Sequence, residues 1–331
     1  MSSEDRRALR IALSFTGSFI VAELWRADLQ LTFLAPLVAA SLAYGVRAPS
    51  RVLIALPIVA WSLVTVAGIA LQFLVTKPLA LGLLQLWVFW IGFSLFRHPR
   101  LGTLGLVILL VFAIVPQTLI KAPALNADLA YWFAFNFILA ALADRITRYL
   151  LPDPDLTPPA TLPPLTSPLV AALALLLAVI MTAAFQLPAP GAIMVGVIIV
   201  LRSDGDSASQ IVSDRLSAAL VGGVIALVVW QVIWWTPTIL NLALILLLAT
   251  WIVAKRIAAG GPRAGAAMKT LSVLAVLIGE GFSVFYEDAD DRFGTRLAGV
   301  IIGLLYVSAV ISAVRSWKSR SADSLAPRAG P

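Results

Sequence analysis

The chain is dominated by apolar stretches about 20 residues long, each bounded by charged residues, proline or glycine. A helix needs ~20 apolar residues to cross the ~30 Å hydrocarbon layer of a bilayer. Hydrophobic residues make up 60% of the 331 residues, charged residues make up 12%, and the mean hydropathy is +0.97. A soluble core of this size cannot bury so much apolar surface. The sequence therefore predicts an all-α, polytopic integral membrane protein.

About twelve stretches have the length and composition of a membrane span. In the first half they are Ala8 to Leu24, Leu29 to Val46, Val52 to Val75, Pro78 to Phe96, Leu101 to Ile120 and Ala127 to Ala143. In the second half they are Pro168 to Leu187, Ala189 to Leu201, Leu216 to Trp235, Thr238 to Ala254, Gly265 to Phe285 and Phe293 to Val314. The stretch from Ala189 to Leu201 is short, so it is either a full span or a broken, partly re-entrant helix.

A short phrase occurs twice and predicts an internal duplication. Pro99-Arg100-Leu101-Gly102 is matched in the second half by Pro262-Arg263-Ala264-Gly265, and the offset between the two copies also superposes most of the apolar stretches. An even number of spans in each unit returns the chain to its starting side, which predicts parallel repeats. We therefore expect a first six-helix repeat at 1–150, a Pro-rich cytoplasmic linker at 151–167, a second six-helix repeat at 168–316 and a basic cytoplasmic tail at 317–331.

The distribution of positive charge predicts the orientation. If the N-terminus is cytoplasmic, 19 of the 24 Lys and Arg residues lie in segments on the cytoplasmic side. This bias predicts a multi-pass protein of the bacterial inner membrane with both termini in the cytoplasm. It also accounts for the net charge of +7 without a nucleic-acid partner, because no basic, aromatic-rich soluble module is present.

Several kinds of chemistry are excluded by residue usage. The chain has no Cys and one His, His98, so thiol chemistry and His or Cys metal clusters are not available. It lacks a GxxxxGK[ST] phosphate loop, and no carboxylate pair has a spacing typical of a catalytic site. We therefore predict that the protein is not an enzyme and that it uses no cofactor and no metal.

Ionisable groups inside apolar spans are costly and are therefore candidates for function. Glu280 is the strongest, because Gly279 and Gly281 on either side let another backbone or a ligand approach closely. In an antiparallel hairpin that turns near Asp288, Glu280 and Arg296 reach the same depth, about 12 Å from the turn. This pair is either a structural ion pair or a site for proton coupling or substrate binding, and the sequence does not favour one over the other.

Three further positions complete the set of candidates. Gln117 follows Pro116 in the first half and corresponds to Glu280 under the offset that relates the two Pro-Arg phrases. Glu23 lies near the outer end of the first span, and Asp144 lies with Arg145 at the inner end of the sixth. We expect Glu23, Asp144 and Arg145 to reach the membrane interface by snorkelling, which makes them weaker candidates.

Some of these features resemble a known superfamily. The opening Arg6 to Leu13 leads into the first span, and Arg-led helix starts with glycine seven residues on occur at Arg215 to Gly222 and Arg292 to Gly299. With two six-span halves, this layout resembles the fusaric acid resistance and aromatic acid exporter (FUSC-like) superfamily of bacterial inner-membrane proteins. The resemblance implies export of small aromatic or organic acids, often with a periplasmic adaptor of the membrane-fusion type. The chain lacks the long cytoplasmic domain that larger members carry between their halves.

We therefore expect a secondary transporter that exports a small aromatic or organic acid, coupled to protons through Glu280. Its expected partners are the lipid bilayer, the acid substrate, a periplasmic adaptor and further copies of itself. Two alternatives stay open at this stage. One is an organic-anion channel, in which Arg296 attracts the ion and nothing is coupled. The other is a membrane scaffold or regulatory subunit that transports nothing.

Overall fold

The fold is that of a computed structural model, which describes 1–25, 33–45, 49–96, 98, 101–152, 167–185, 187, 190–202, 208–260, 262–281 and eleven residues between 298 and 313. Helices account for nearly all of these residues, and the described part contains no strand. The predicted linker between 153 and 166, Arg296 and the tail at 317–331 lie outside the described residues. The all-α prediction is confirmed for the part of the chain that the structure describes.

Eleven named helices follow one another along the described part of the chain. They are α1 (Ser3–Leu24), α2 (Leu34–Tyr44), α3 (Ser50–Leu74), α4 (Pro78–Phe96), α5 (Gly102–Lys121), α6 (Asn126–Leu150), α7 (Pro168–Ala184), α8 (Pro190–Arg202), α9 (Ala208–Trp235), α10 (Ile239–Ala258) and α11 (Pro262–Gly281). A 3-10 turn, Pro123–Leu125, precedes α6. The eleven described residues between 298 and 313 are also helical.

Five helical segments in the described residues are long and apolar enough to cross a bilayer. They are Ser50–Leu74, Pro78–Phe96, Gly102–Ile120, Pro123–Leu150 and Ile239–Ala258. Large apolar side chains are exposed along α3 and α4, including those of Ile54, Phe73 and Leu79. An apolar surface of this kind is unfavourable in water and is typical of a face in contact with lipid.

Helix α2 is much shorter than the predicted span from Leu29 to Val46. It has 11 residues, so at ~1.5 Å per residue it is about 16 Å long, roughly half the hydrocarbon thickness. Its only proline, Pro36, lies in the first turn, where no backbone N–H is needed for an intrahelical hydrogen bond. At the other end Gly45 is extended, with ψ at 177°, and stops the helix. Nearly every residue of α2 is buried.

Several helix contacts join the first half of the chain to the second. Helix α1 packs against α10, and α4 packs against α7. Helix α5 contacts α8, and α11 contacts α2. Within the halves, α1 also packs against α2 and α6, and α11 against α9 and α10. One continuous apolar core therefore includes side chains from both halves.

Candidate functional site

The start of α2 lies inside the protein and is capped from α6. The backbone N–H of Ala35 donates to Oδ1 of Asn136 at 3.2 Å. Asn136 is 2% exposed, and its Nδ2 donates to the Trp132 carbonyl at 2.8 Å. The first N–H groups of a helix have no intrahelical partner and carry the positive end of the helix dipole. Asn136 therefore satisfies one such group where no water is expected.

Helix α11 passes directly against this start. A side chain at Gly279 would overlap the backbone of Phe33, the residue that precedes α2. The close backbone approach predicted from the glycines around Glu280 is therefore confirmed at Gly279. Glu280 is the next residue of α11, although its side chain lies outside the described residues. The predicted contact between Glu280 and Arg296 stays a prediction, because Arg296 is also outside them.

Gln117 and Glu23 occupy different parts of the bundle. Gln117 is half-buried in α5 just after Pro116, and its Nε2 is buried with no hydrogen-bond partner among the described residues. Helix α5 packs against α8, so Gln117 lies on a helix that contacts the second short helix. Glu23 is half-buried near the end of α1. Among the described residues, no hydrogen bond joins Gln117 to Glu23.

Three arginines surround the other end of α2. Nη2 of Arg148 donates to the carbonyls of Leu42 at 2.7 Å and Gly45 at 3.1 Å. Nη2 of Arg10 donates to the Ala43 carbonyl at 3.2 Å. The third, Arg7, donates from Nη2 to the Tyr44 carbonyl at 3.4 Å and lies over the Tyr44 ring, 5.1 Å from its centroid.

Asp144 belongs to the same group, and its buried position shows that the prediction of snorkelling was wrong for this residue. The sequence predicts that it snorkels to the interface beside Arg145, but it is 1% exposed and its Oδ1 accepts from Arg148 Nε at 2.7 Å. Arg145 points elsewhere and donates to the Ser50 hydroxyl at 2.6 Å. The reason is helical spacing: residues four apart lie on one face, so Arg148, and not Arg145, can neutralise Asp144. We call Arg7, Arg10, Arg148 and Asp144 the arginine clamp.

Buried hydroxyl groups join the helices around the arginine clamp. The hydroxyl oxygens of Ser14 in α1 and Thr147 in α6 are 2.7 Å apart. Thr16 in α1 and Thr250 in α10 have their hydroxyl oxygens 3.2 Å apart. In an apolar interior such contacts are directional and help to fix helices against one another. They set α1 between α6 and α10.

Sequence reasoning missed the arginine clamp, although one signal was present. An acidic and a basic residue four apart, Asp144 and Arg148, predict an ion pair on one helix face. The partners on α2 are backbone carbonyls, which have no sequence signature. Another signal marks the short helices, since an Ala-Pro pair occurs near the start of each, at Pro36 in α2 and Pro190 in α8.

In the part of the chain that the structure describes, no three His, Asp or Glu side chains are grouped so that they could hold a metal ion. Comparison of the chain with protein-family models, with curated proteins and with solved structures gives no match. Function is therefore inferred from this chain's own residues and from the resemblance in layout described above.

Proposed function

We propose that the chain is a twelve-span inner-membrane protein made of two parallel six-helix repeats, with both termini in the cytoplasm. The spacing of helices supports this. Helices α4 and α10 begin at Pro78 and Ile239, and α5 and α11 begin at Gly102 and Pro262, so the two pairs share nearly the same offset in residue number. The short helices, which begin at Leu34 and Pro190, lie slightly closer together in sequence. The stretch between α8 and α10 is longer than the stretch between α2 and α4, and this difference restores the offset for the later helices.

Helix packing supports the same proposal. The main contacts between the halves form pairs that correspond when the halves are exchanged: α1 with α10 corresponds to α7 with α4, and α2 with α11 corresponds to α8 with α5. This is the pattern expected of parallel repeats related by a two-fold axis along the membrane normal. In this arrangement helices of each repeat pack against helices of the other, so we expect the two repeats to fold as one unit.

We further propose that the protein is a secondary transporter, and the short buried helices carry this proposal. Helix α2 has 11 residues and α8 has 13, and both pack inside the bundle. Interrupted helices inside a membrane protein are typical of transporters, in which a half-helix start binds anionic groups near the bilayer midplane. We place the proposed site at the start of α2, where α11 adjoins it and where Glu280 lies one residue beyond Gly279.

The substrate that we propose is a small aromatic or organic acid, exported in exchange for protons that Glu280 loads and releases. An anionic substrate suits the positive end of a helix dipole at Leu34. The resemblance to the fusaric acid resistance and aromatic acid exporter superfamily supports the same substrate class. A periplasmic adaptor and self-association belong to this proposal as partners.

Packing around α2 favours a carrier over an open channel. Helices α1 and α6, which both pack against α2, and the residue before α2 contribute wholly buried phenylalanine rings; they are Phe15, Phe19, Phe33, Phe133 and Phe137. A channel needs a continuous polar path in its conducting state. Rings packed in this way must move before an acid can pass, as alternating access requires.

The proposal is tested by the accumulation of labelled 4-hydroxybenzoate in cells with and without the protein, with and without an uncoupler. We expect the protein to lower accumulation, and we expect this effect to disappear with the uncoupler and in Glu280→Gln. Glu4→Gln, an exposed substitution in the first turn of α1, is the matched control and should export like the unchanged protein.

Two other outcomes would contradict the proposal. Flux that persists in Glu280→Gln and runs down the acid's own gradient without protons would identify a channel. No difference in accumulation for any aromatic or organic acid would refute transport and leave the scaffold interpretation.

A further inference from the structure

Each of the last four carbonyl groups of α2 accepts a hydrogen bond, and three of these bonds come from arginines. The last four carbonyls of a helix have no intrahelical partner. In α2 the Ser41 carbonyl accepts from the Gly45 N–H at 3.1 Å. The remaining three, at Leu42, Ala43 and Tyr44, each accept from an arginine of the clamp. The negative end of the helix dipole favours the same cations.

The sides of α2 offer much less directional contact than its ends. Four of its 11 residues are alanine, and it packs against α1, α6 and α11 through apolar surface. Apolar contact is non-directional, so it specifies the position of a helix along its axis less sharply than hydrogen bonds do. The hydrogen bonds at its two ends are directional and oppose a shift along that axis; Asn136 makes one at the N-terminal end, and the arginine clamp makes those at the C-terminal end.

Asp144 determines where Arg148 points. Arg148 Nε donates to the Asp144 carboxylate, which leaves Nη2 directed at the carbonyls of Leu42 and Gly45. A guanidinium group presents its donors in a rigid planar fork, so fixing one nitrogen fixes the others. Asp144 contacts no part of α2 in these hydrogen bonds and acts on it through Arg148.

We infer that Asp144 is a positioning residue: by orienting Arg148 onto α2, it contributes, with Arg7, Arg10 and Asn136, to fixing the axial position of this short helix. Through α2 it holds the Phe33 backbone against Gly279, the residue before Glu280 in α11. The role of Asp144 in positioning α2 is inferred from these contacts, whereas the importance of that role for transport rests on the proposed function. A transport cycle that moves α2 must break and remake the arginine clamp.

Single-cysteine labelling tests this inference, since the natural chain contains no cysteine. Ala43→Cys places a reporter at a wholly buried position of α2, and Ala254→Cys places one at a wholly buried position of α10. In purified protein, Asp144→Asn should speed maleimide labelling at position 43 by at least about tenfold, because a buried ion pair has lost one partner. The rate at position 254 should stay unchanged, which distinguishes release of α2 from general unfolding.

Two variants serve as controls. Asp144→Glu keeps the charge and should restore slow labelling at position 43. Asp5→Asn removes the carboxylate of an exposed pair, in which Lys255 Nζ is 3.3 Å from Asp5 Oδ1 and which does not contact α2, so it should leave labelling unchanged. If Asp144→Asn does not fold, Arg148→Lys replaces it, because a lysine cannot hold both Asp144 and two carbonyls in this geometry.

The outcomes separate this inference from the proposed function. Equal labelling of position 43 in Asp144→Asn, Asp5→Asn and the unchanged background would overturn the inference, even if the protein exports acids. Equal acceleration at positions 43 and 254 would also overturn it and assign Asp144 a general structural role. Faster labelling at position 43 alone supports it, and export assays then decide separately whether the protein is a transporter.

Discussion

Gly279→Ala tests the contact on which the proposed site depends. A Cβ at Gly279 would lie closer to Phe33 than real Cβ contacts allow, and the atoms it meets are the main-chain N and Cα of Phe33 together with its Cβ, which the backbone positions. Carbon atoms in contact prefer separations of ~3.5 to 4.0 Å, so α11 and the start of α2 must separate by about 1 Å. A flexible side chain could turn aside, but a backbone cannot.

The expected magnitude follows from two opposing effects. Overpacking costs about 1 to 3 kcal/mol, and a clash with backbone belongs at the upper end of that range. Replacing glycine by alanine in a helix returns about 1 kcal/mol. We therefore expect Gly279→Ala to lower the free energy of unfolding by about 2 kcal/mol. Because the contact adjoins Glu280, export should fall as well.

Gly265→Ala is the matched control on the same helix. A Cβ at Gly265 meets nothing within 4 Å, so only the helix-propensity gain remains. Thermal unfolding in detergent should show Gly279→Ala below the unchanged protein and Gly265→Ala at or above it. If both variants unfold at the same temperature and export equally, α11 does not approach α2 as described and the reasoning about this site is wrong.

Two further predictions concern the ends of α2. Asn136→Ala should lower the free energy of unfolding by about 1 to 3 kcal/mol, because the buried Ala35 N–H loses its acceptor; an unchanged unfolding temperature would contradict the cap. Arg148→Gln should cost about 3 to 5 kcal/mol, because Asp144 is left buried without its ion-pair partner, while Arg145→Gln, which breaks an exposed contact, should cost under about 1 kcal/mol. Equal losses in thermal unfolding for the two arginine variants would contradict the inward position of Asp144.

Helix boundaries were predictable where a proline or a charged residue lies at the end of an apolar stretch long enough to span a bilayer. Helix α4 runs from Pro78 to Phe96 as predicted, because proline begins it and a charged residue follows its last apolar turn. The predicted sixth span runs from Ala127 to Ala143, and the helix that contains it continues to Leu150. The charges beyond Ala143 resemble a membrane boundary in sequence, but Asp144 and Arg148 neutralise each other and continue the helix.

The site could be predicted only in part, because its partners are backbone groups. The glycines beside Glu280 predicted a close approach, and the structure supplies the approaching segment at Phe33. The cap on Ala35 and the clamp on the end of α2 depend on tertiary contacts between residues far apart in sequence, such as Arg10 and Ala43. No local sequence pattern predicts which backbone carbonyl will accept a hydrogen bond from a distant side chain. These contacts could therefore be identified only from the structure.

We propose that Glu280 couples proton movement to the export of an organic acid. The most direct measurement is the flux of labelled 4-hydroxybenzoate in proteoliposomes that contain the purified protein, with an imposed proton gradient as the only driving force. We expect uphill movement of the acid that collapses when the gradient is dissipated and is absent in Glu280→Gln, while Glu4→Gln behaves like the unchanged protein. Uphill movement of the same rate in Glu280→Gln would contradict the account.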